Sequence, residues 1–329
     1  MKHRVLVIGA GSIGERHVRT FLATGRAEVS ICEPHGERCK AVAERYSVRA
    51  YDDLEASLAE APDAAVVATP ADSHVSIANR VASGGTHLLI EKPLSTGLEG
   101  VDALRETIAR QRCVAAVGYV WRMHPMLGRM REAVVEGRFG KPLQLVVRGG
   151  QHFPTFRPAY RETYYTRRET GGGTTQDALT HMFNVGEWLV GPVDRIAADT
   201  SRQYLEGVEV EDTVHAITRQ GDVMGCYSIN QFQAPNELSV TVACERGTAR
   251  FEAEKLRWRW MLEPDSGWQE EALDQLERDD MFVRQANAFV DALEGKAVSI
   301  CTFDEGAQTL RVNLAALESA DKGVWVKVS

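Results

Sequence analysis

The sequence predicts an α/β protein of two domains: a doubly wound parallel sheet over residues 1–121, then an α/β domain over residues 122–329 built on a large open, mainly antiparallel sheet. Three observations predict it. Short apolar runs alternate with helical periods through the N-terminal third. The run Val5-Leu6-Val7-Ile8 is followed at once by Gly9, Gly11 and Gly14. Beyond about Arg122, period-two runs replace that alternation. A length of 329 residues also exceeds what one core usually organises.

The first strand ends in a glycine turn. Gly9 permits a tight turn, Gly11 has no Cβ to obstruct a pyrophosphate, and Gly14 lets the next helix lie against the strand. That helix, expected over Glu15 to Thr24, faces the phosphates with the free N–H groups of its N-terminus. The second strand, Glu28 to Glu33, places Glu33 19 residues beyond Gly14. A carboxylate there accepts hydrogen bonds from both ribose hydroxyls and repels a 2′-phosphate, which favours NAD over NADP; the alternative is a solvated strand-end glutamate, and Arg38 stands nearby.

Helix 36–46, a weak strand at Val48 to Tyr51, helix 53–60 and the strand Ala64 to Ala68 follow. That strand ends in Thr69-Pro70, and Asp72 or Ser73 is expected to cap helix 73–83, which carries His74. Strand 86–90 stops at Glu91-Lys92-Pro93, with a cis bond expected before the proline, and helix 97–111 and strand Val114 to Val117 complete the series. Gly9, Glu33, Thr69-Pro70, Lys92 and Tyr119 thus all fall at strand carboxyl ends, where such sheets bind ligands.

The second half opens with helix 124–136 and strand 143–148, then an irregular stretch to Gly173 and helical patterning from Thr174 to Val190. Runs at 213–218, 224–231, 238–243 and 248–252, with turns at Gly221-Asp222 and Arg246-Gly247, read as hairpins. Leu256 to Met261 alternates too, and its aromatic face suits either a subunit interface or ordinary sheet core. Helices near 279–294 and 304–320 and a strand at 324–328 close the chain.

A net charge of −8 argues against nucleic acid or an anionic membrane surface as partner. Six scattered cysteines without a Cys-x-x-Cys pair suggest neither a metal site nor a disulfide framework, and suit reduced thiols in the cytoplasm. The N-terminus runs directly into the first strand, leaving no room for a signal peptide, and no apolar run nears the ~18 residues of a membrane span.

Two constellations offer chemistry. Asp177 and His181, four residues apart behind Gly171-Gly172-Gly173, share one helix face, where a carboxylate can orient an imidazole that accepts a hydroxyl proton. From spacing alone, a capping aspartate and a partly buried core histidine account for them as well. Lys92, directly behind an apolar strand, would hold its ammonium at the sheet's carboxyl edge and stabilise a developing alkoxide.

Together, Gly9-x-Gly11-x-x-Gly14, Thr69-Pro70 with His74, Glu91-Lys92-Pro93, Gly118-Tyr119 with Arg122, and the glycine triplet with Asp177 and His181 resemble the glucose–fructose oxidoreductase, inositol dehydrogenase and rhizopine-catabolism (Gfo/Idh/MocA) family over almost the whole chain. The resemblance implies a Rossmann domain and NAD(P)-dependent oxidation or reduction of a sugar, cyclitol or derivative. It assigns catalysis to Lys92, Asp177 and His181. Cofactor contacts fall on Gly9, Gly11, Ser12, Ile13, Gly14, Glu33, Thr69, Pro70, His74, Glu91 and Lys92. Where family members often carry an aspartate three residues after the histidine, this chain has Asn184.

Substrate contacts are expected from Tyr119, Arg122, Tyr160, Arg161, Tyr164 and Arg168, with Asp177 and His181. The segment Gln151 to Glu169 is rich in arginine and aromatics and resembles a stretch in relatives associated with acidic and nucleotide sugars, so an anionic or aminosugar-derived substrate is expected beside the alternative of a solvated loop. A homodimer or homotetramer in the cytoplasm completes the expectation. Two other readings remain: an NAD-binding sugar sensor without catalysis, and a glycosidase that cycles NAD within one turnover.

Overall fold

The computed structural model describes residues 2–299 and 301–328. The chain forms two compact units, one of residues up to Met123 with Glu277–Ala307, the other of His124–Leu276 with Gln308 onward.

In the first unit, strands β1 (His3–Ile8), β2 (Ala27–Cys32), β3 (Arg49–Tyr51), β4 (Ala64–Val67), β5 (His87–Ile90) and β6 (Ala115–Val117) form one parallel sheet in the order β3-β2-β1-β4-β5-β6. The order reverses between β1 and β4, which is the switch point of a doubly wound sheet. Helices α1 (Ser12–Ala23), α2 (Gly36–Tyr46), α3 (Leu54–Ala59), α4 (His74–Ser83) and α5 (Val101–Gln111) are the connections. Strands buried on both faces need unbroken apolar runs, and Val5, Leu6, Val7, Ala64, Ala65, Val66 and Leu88 are at most 1% exposed. Gly14 is needed for α1 to lie this near: a Cβ there would stand 1.8 Å from the Gly9 carbonyl oxygen.

The second unit holds a nine-stranded sheet. Its strands are β7 (Pro142–Gly150), β8 (Arg195–Ser201), β9 (Thr213–Gln220), β10 (Val223–Asn230), β11 (Glu237–Cys244), β12 (Gly247–Glu252), β13 (Arg257–Met261), β14 (Gln269–Ala272) and β15 (Val326–Lys327). They lie in the order β14-β13-β12-β11-β7-β10-β9-β8-β15. All neighbours are antiparallel except β7 and β10, so the expected set of hairpins is interrupted at its centre by one parallel pair. Helices α6 (Pro125–Val135), α7 (Phe153–Phe156) and α8 (Thr180–Val190) follow β6 in the chain, with α9 (Asp280–Leu293) and α10 (Phe303–Lys322) near its end.

Several elements differ from the sequence expectation. Strands β8 and β14 were not expected: Ile196 is the one large apolar residue of the first, and Gln269-Glu270-Glu271-Ala272 has no apolar alternation. Main-chain pairing to β13 holds β14, helped by the ion pair of Arg257 with Glu270. Trp258 and Trp260 are 2% and 7% exposed and stack on each other, so the aromatic face of β13 is sheet core, while Arg257 and Arg259 alternate with them. Residues 277–307 were expected in the second domain. They return to the first unit because α9 buries Ala286, Phe289 and Val290 in the core that α1 lines with Val18 and Phe21.

Replacing Gly14 by Ala should cost about 3 kcal/mol or more, since backbone on both sides must move. Gly11, whose Cβ would meet no protein atom within 4 Å, should accept Ala within about 0.5 kcal/mol. Urea denaturation of the two variants checks the contrast; equal midpoints would contradict this account of α1.

Candidate active site

The first unit gathers its candidate residues at the carboxyl ends of β1, β2, β4 and β5. Gly9 turns with φ +89° and a Cβ there would be 2.8 Å from the Ala68 oxygen, so glycine is required on two counts. No side chain caps α1, whose start at Ser12 and Ile13 leaves main-chain donors for an anion. Glu33 is not a solvated strand-end residue. Its carboxylate is buried, accepting from the Ala10 N–H at 2.9 Å and the His35 N–H at 3.0 Å, with Arg38 at 3.5 Å. A cleft of about 520 Å³ lined by Gly11, Ser12, Arg16 and Arg38 adjoins this turn.

The glycine turn, the uncapped helix start and the anchored carboxylate fit a dinucleotide, with Gly11 the position whose missing Cβ no protein atom explains. Thr69-Pro70 ends the next strand. The expected cap from Asp72 or Ser73 is not made: Ser73 Oγ donates to the Pro70 carbonyl and the Thr69 hydroxyl, because a short 3-10 turn at Ala71–Ser73 precedes α4.

His74 is buried and bridges two main-chain carbonyls, Thr69 O at 2.8 Å from Nε2 and Pro93 O at 2.9 Å from Nδ1. Burial pushes its pKa below the usual imidazole range, against the two carbonyls. A neutral ring donates to one of the two. The side chain thus braces the end of β4 against the turn after β5. Lys92 sits in that turn, half-buried, before a cis bond to Pro93. Its neighbour Glu91 is 4% exposed; the Oε1 atom lies 2.6 Å from His17 Nε2, and Oε2 accepts the Lys92 N–H at 3.0 Å. Burial alone would raise the Glu91 carboxyl, but its hydrogen bond to His17, with the charges of His17 and Lys92, holds it below the usual range.

Two residues expected to touch substrate are deep in the protein. Tyr119 is 1% exposed, and the Arg122 side chain, also 1% exposed, places Nη1 2.6 Å from Glu305 Oε1. That guanidinium was expected to meet a ligand, but a chain carboxylate already answers its charge.

In the second unit the glycine triplet is explained by close approach. A Cβ on Gly172 would be 2.2 Å from the Tyr165 oxygen, and one on Gly173, at φ +89°, would be 2.7 Å from the Glu211 carboxylate. Glu211 accepts the Thr175 N–H at 2.9 Å. The helix begins as a π turn over Thr175–Leu179 before continuing as α8, so Asp177 lies in the π turn and His181 in α8. Such single π turns are frequent at functional sites. The Tyr164 hydroxyl donates to Asp177 Oδ1 at 2.8 Å, which joins the aromatic segment to the expected catalytic pair. Asn184, in place of the aspartate, is buried and donates to the Thr309 hydroxyl at 3.0 Å.

The rest of that segment is largely occupied with itself. Phe153, Tyr160 and Tyr165 form a small core with Leu205, Val208 and Val210. Tyr160 is 4% exposed and donates to the Glu206 carbonyl; Arg161 donates to the same carbonyl and lies near the Glu206 carboxylate, while Arg168 pairs with Asp321. Two of the arginines expected to grip an anion thus have carboxylates of the chain beside them, and Arg157 and Arg167 are exposed.

His17 was missed in the sequence. Its only signal is position, three residues beyond Gly14 and so close to the glycine turn on α1. Among the described residues, no group of three or more His, Cys, Asp and Glu is placed to hold a metal ion, and no helix is long and apolar enough to cross a membrane.

Residues 3–119 match the family model described as oxidoreductase family, NAD-binding Rossmann fold, and residues 127–250 match the GFO/IDH/MocA C-terminal domain. The chain is 33% identical over 142 residues to UDP-N-acetylglucosamine 3-dehydrogenase of Acidithiobacillus ferrooxidans, covering 43% of this chain and 44% of that one. It is 28% identical over 194 residues to inositol 2-dehydrogenase of Rhizobium meliloti, covering 58% and 56%. These matches span about half the length of the curated relatives. Over 100% of this chain and 99% of the other, the fold superposes on the WlbA dehydrogenase from Bordetella pertussis, solved with NADH and UDP-GlcNAcA, with a TM-score of 0.85 and 26% identity.

Asp212 sets a pH dependence for the support of this unit. Burial raises its carboxyl, but N–H groups of Leu205, Gln203 and Tyr204 and the Thr213 hydroxyl outweigh it and hold the pKa below the usual range. A folded pKa below the unfolded one gives stability that is present above the unfolded value, about 3.9, and is lost as pH falls through the folded one. The thermal midpoint should therefore drop on acidification below about pH 4, and Asp212→Asn should reduce stability at neutral pH by roughly 1–3 kcal/mol while flattening that drop. Calorimetry across this range checks both; an unchanged slope in the variant would remove Asp212 from the account.

Proposed function

The chain belongs to the Gfo/Idh/MocA oxidoreductase family, and from that premise we propose that it is an NAD-dependent dehydrogenase acting on a hydroxyl or keto carbon of a sugar, sugar acid or sugar derivative. The observation that carries the reading is the placement of Lys92 just past the carboxyl end of β5, on the sheet edge that also holds the glycine turn and the anchored Glu33. Bound NAD supplies the hydride acceptor.

The residues then divide the remaining work. Gly9 to Gly14 and the start of α1 hold the pyrophosphate, and Glu33 holds the adenosine ribose. Because the Glu33 carboxylate is fixed by two main-chain N–H groups, it repels a 2′-phosphate from a set position, which favours NAD over NADP. His181 takes the hydroxyl proton as the alcohol is oxidised, Lys92 hydrogen-bonds the oxygen and stabilises its developing charge, and Asp177 orients the histidine or the substrate. Tyr164, through its bond to Asp177, makes the aromatic segment part of substrate recognition.

The names of the relatives support a choice between a nucleotide sugar and a cyclitol. We favour an anionic sugar derivative, with Arg157 and Arg167 as the exposed arginines of that segment. The proposal extends to a cytoplasmic homodimer or homotetramer formed through the outer face of the large sheet, where Ile217 and Met224 are 49% and 52% exposed.

NADH formation measured across neutral sugars, cyclitols, sugar acids and nucleotide sugars tests the substrate class; preference for plain inositol or glucose would defeat the anionic choice. Lys92→Ala and His181→Ala should each lower kcat by roughly 10²–10⁴-fold with NAD affinity retained. Wild-type rates in both would remove the mechanism. Gly11→Ala should weaken NAD binding while sparing stability, as titration calorimetry would show.

A further inference from the structure

We propose that His17 is a positioning residue for Lys92, its imidazole fixing the Glu91 carboxylate and that carboxylate fixing the main chain of Lys92. The inference rests on the reading of Lys92 as a catalytic group. The chain of contacts is short and enclosed. His17 is 1% exposed, and its Nε2 stands 2.6 Å from Glu91 Oε1, while the second oxygen of the same carboxylate accepts the Lys92 N–H at 3.0 Å.

The carboxylate has little freedom to do otherwise. The His17 ring lies against Phe21 at 6.3 Å and edge-on to Phe282 at 5.8 Å, two apolar walls that hold its plane. On another side, a Cβ on Gly118 would be 3.0–3.3 Å from the carboxylate atoms, so glycine there leaves just enough room for Glu91 as it stands. Beyond Lys92, His74 holds the Pro93 carbonyl at 2.9 Å. Both neighbours of Lys92 are therefore tied to buried imidazoles.

A buried carboxylate that loses its partner must take up a proton or turn to another cation. After His17, the charge that acts most on Glu91 is that of Lys92 itself, the next residue in the chain. Loss of His17 would then either move the Lys92 main chain or pair the Glu91 carboxylate with its amine, and both change the reactivity of that amine. A histidine that served only to fill the core would change stability and leave Lys92 as it was.

The test uses the full chain with His17→Leu, His17→Gln and Gly118→Ala. Two readouts are taken: kcat against KM on whichever sugar the wild type oxidises, and acetic anhydride labelling of Lys92, quantified by peptide mass spectrometry against exposed Lys40. Labelling needs neither substrate nor turnover, so it stands even if the dehydrogenase reading fails. Removing the pair should lower kcat roughly tenfold to a hundredfold in His17→Leu with little change in KM for NAD, and should shift Lys92 labelling several-fold while Lys40 is unchanged. Glutamine, which keeps a neutral donor toward Glu91, should restore most of both; Gly118→Ala, which displaces the carboxylate from its other side, should fall between.

Wild-type labelling of Lys92 in His17→Leu would overturn the inference. So would equal losses in the leucine and glutamine variants that follow their thermal midpoints, the mark of a purely structural residue. Should His17→Leu fail to fold, unchanged Lys92 labelling in both of the other variants overturns it equally.

Discussion

Helix α1 approaches β1 so closely that the Gly9 carbonyl occupies the space a Cβ at position 14 would need, 1.8 Å away. That separation governs much of the first unit. At the same turn the pairing of β1 with β2, carried on by the Gly9 N–H to the Cys32 carbonyl, brings Ala10 within reach of Glu33 and fixes a carboxylate at the end of β2. One turn further along, the closeness of α1 lets one of its side chains reach across to the residue just past β5. A helix held an ångström or two further out would keep the topology and lose the contact of His17 with Glu91, since hydrogen bonds of this kind weaken quickly with distance.

Electrostatics in the two units follows one economy. Charged side chains at positions that looked available for ligands are paired inside the chain: Arg122 with Glu305, Arg168 with Asp321, Arg161 beside Glu206. The most buried of these, Arg122, has a side chain 1% exposed and a carboxylate at 2.6 Å, that of Glu305, whose own side chain is 42% exposed. Exposed partners such as Arg168 and Asp321 hold each other far less firmly. A ligand with a negative group would therefore compete on unequal terms at the different arginines.

Legibility in the sequence tracked how local the physics is. The parallel sheet was readable because each strand is buried on both faces and must be apolar throughout, as Ala64-Ala65-Val66-Val67 shows. The glycine turn was readable because only glycine tolerates the approach of Ala68 and Gly9. Edge strand β14 was not, since main-chain pairing specifies no side-chain pattern. Helix α9 was visible as an amphipathic helix, but periodicity reveals an apolar face without revealing what it covers, so its return to the first core was hidden. At the site, residue types were legible and burial was not: nothing local in Tyr160 or Arg122 distinguishes a side chain facing a ligand from one facing Glu206 or Glu305.

The aromatic segment has a small core of its own, Phe153, Tyr160 and Tyr165 with Leu205, Val208 and Val210. Both of its arms lie between β7 and β9 in the chain, and β7 is a central strand already hydrogen-bonded on both sides. A segment anchored in this way behaves as a cassette: its interior can be rewritten as a set, and the register of the large sheet has no part in the outcome. Changes among those six packed side chains would reach the π turn through the hydrogen bond from Tyr164 to Asp177, so that contact sets how far a rewritten cassette alters the helix behind it.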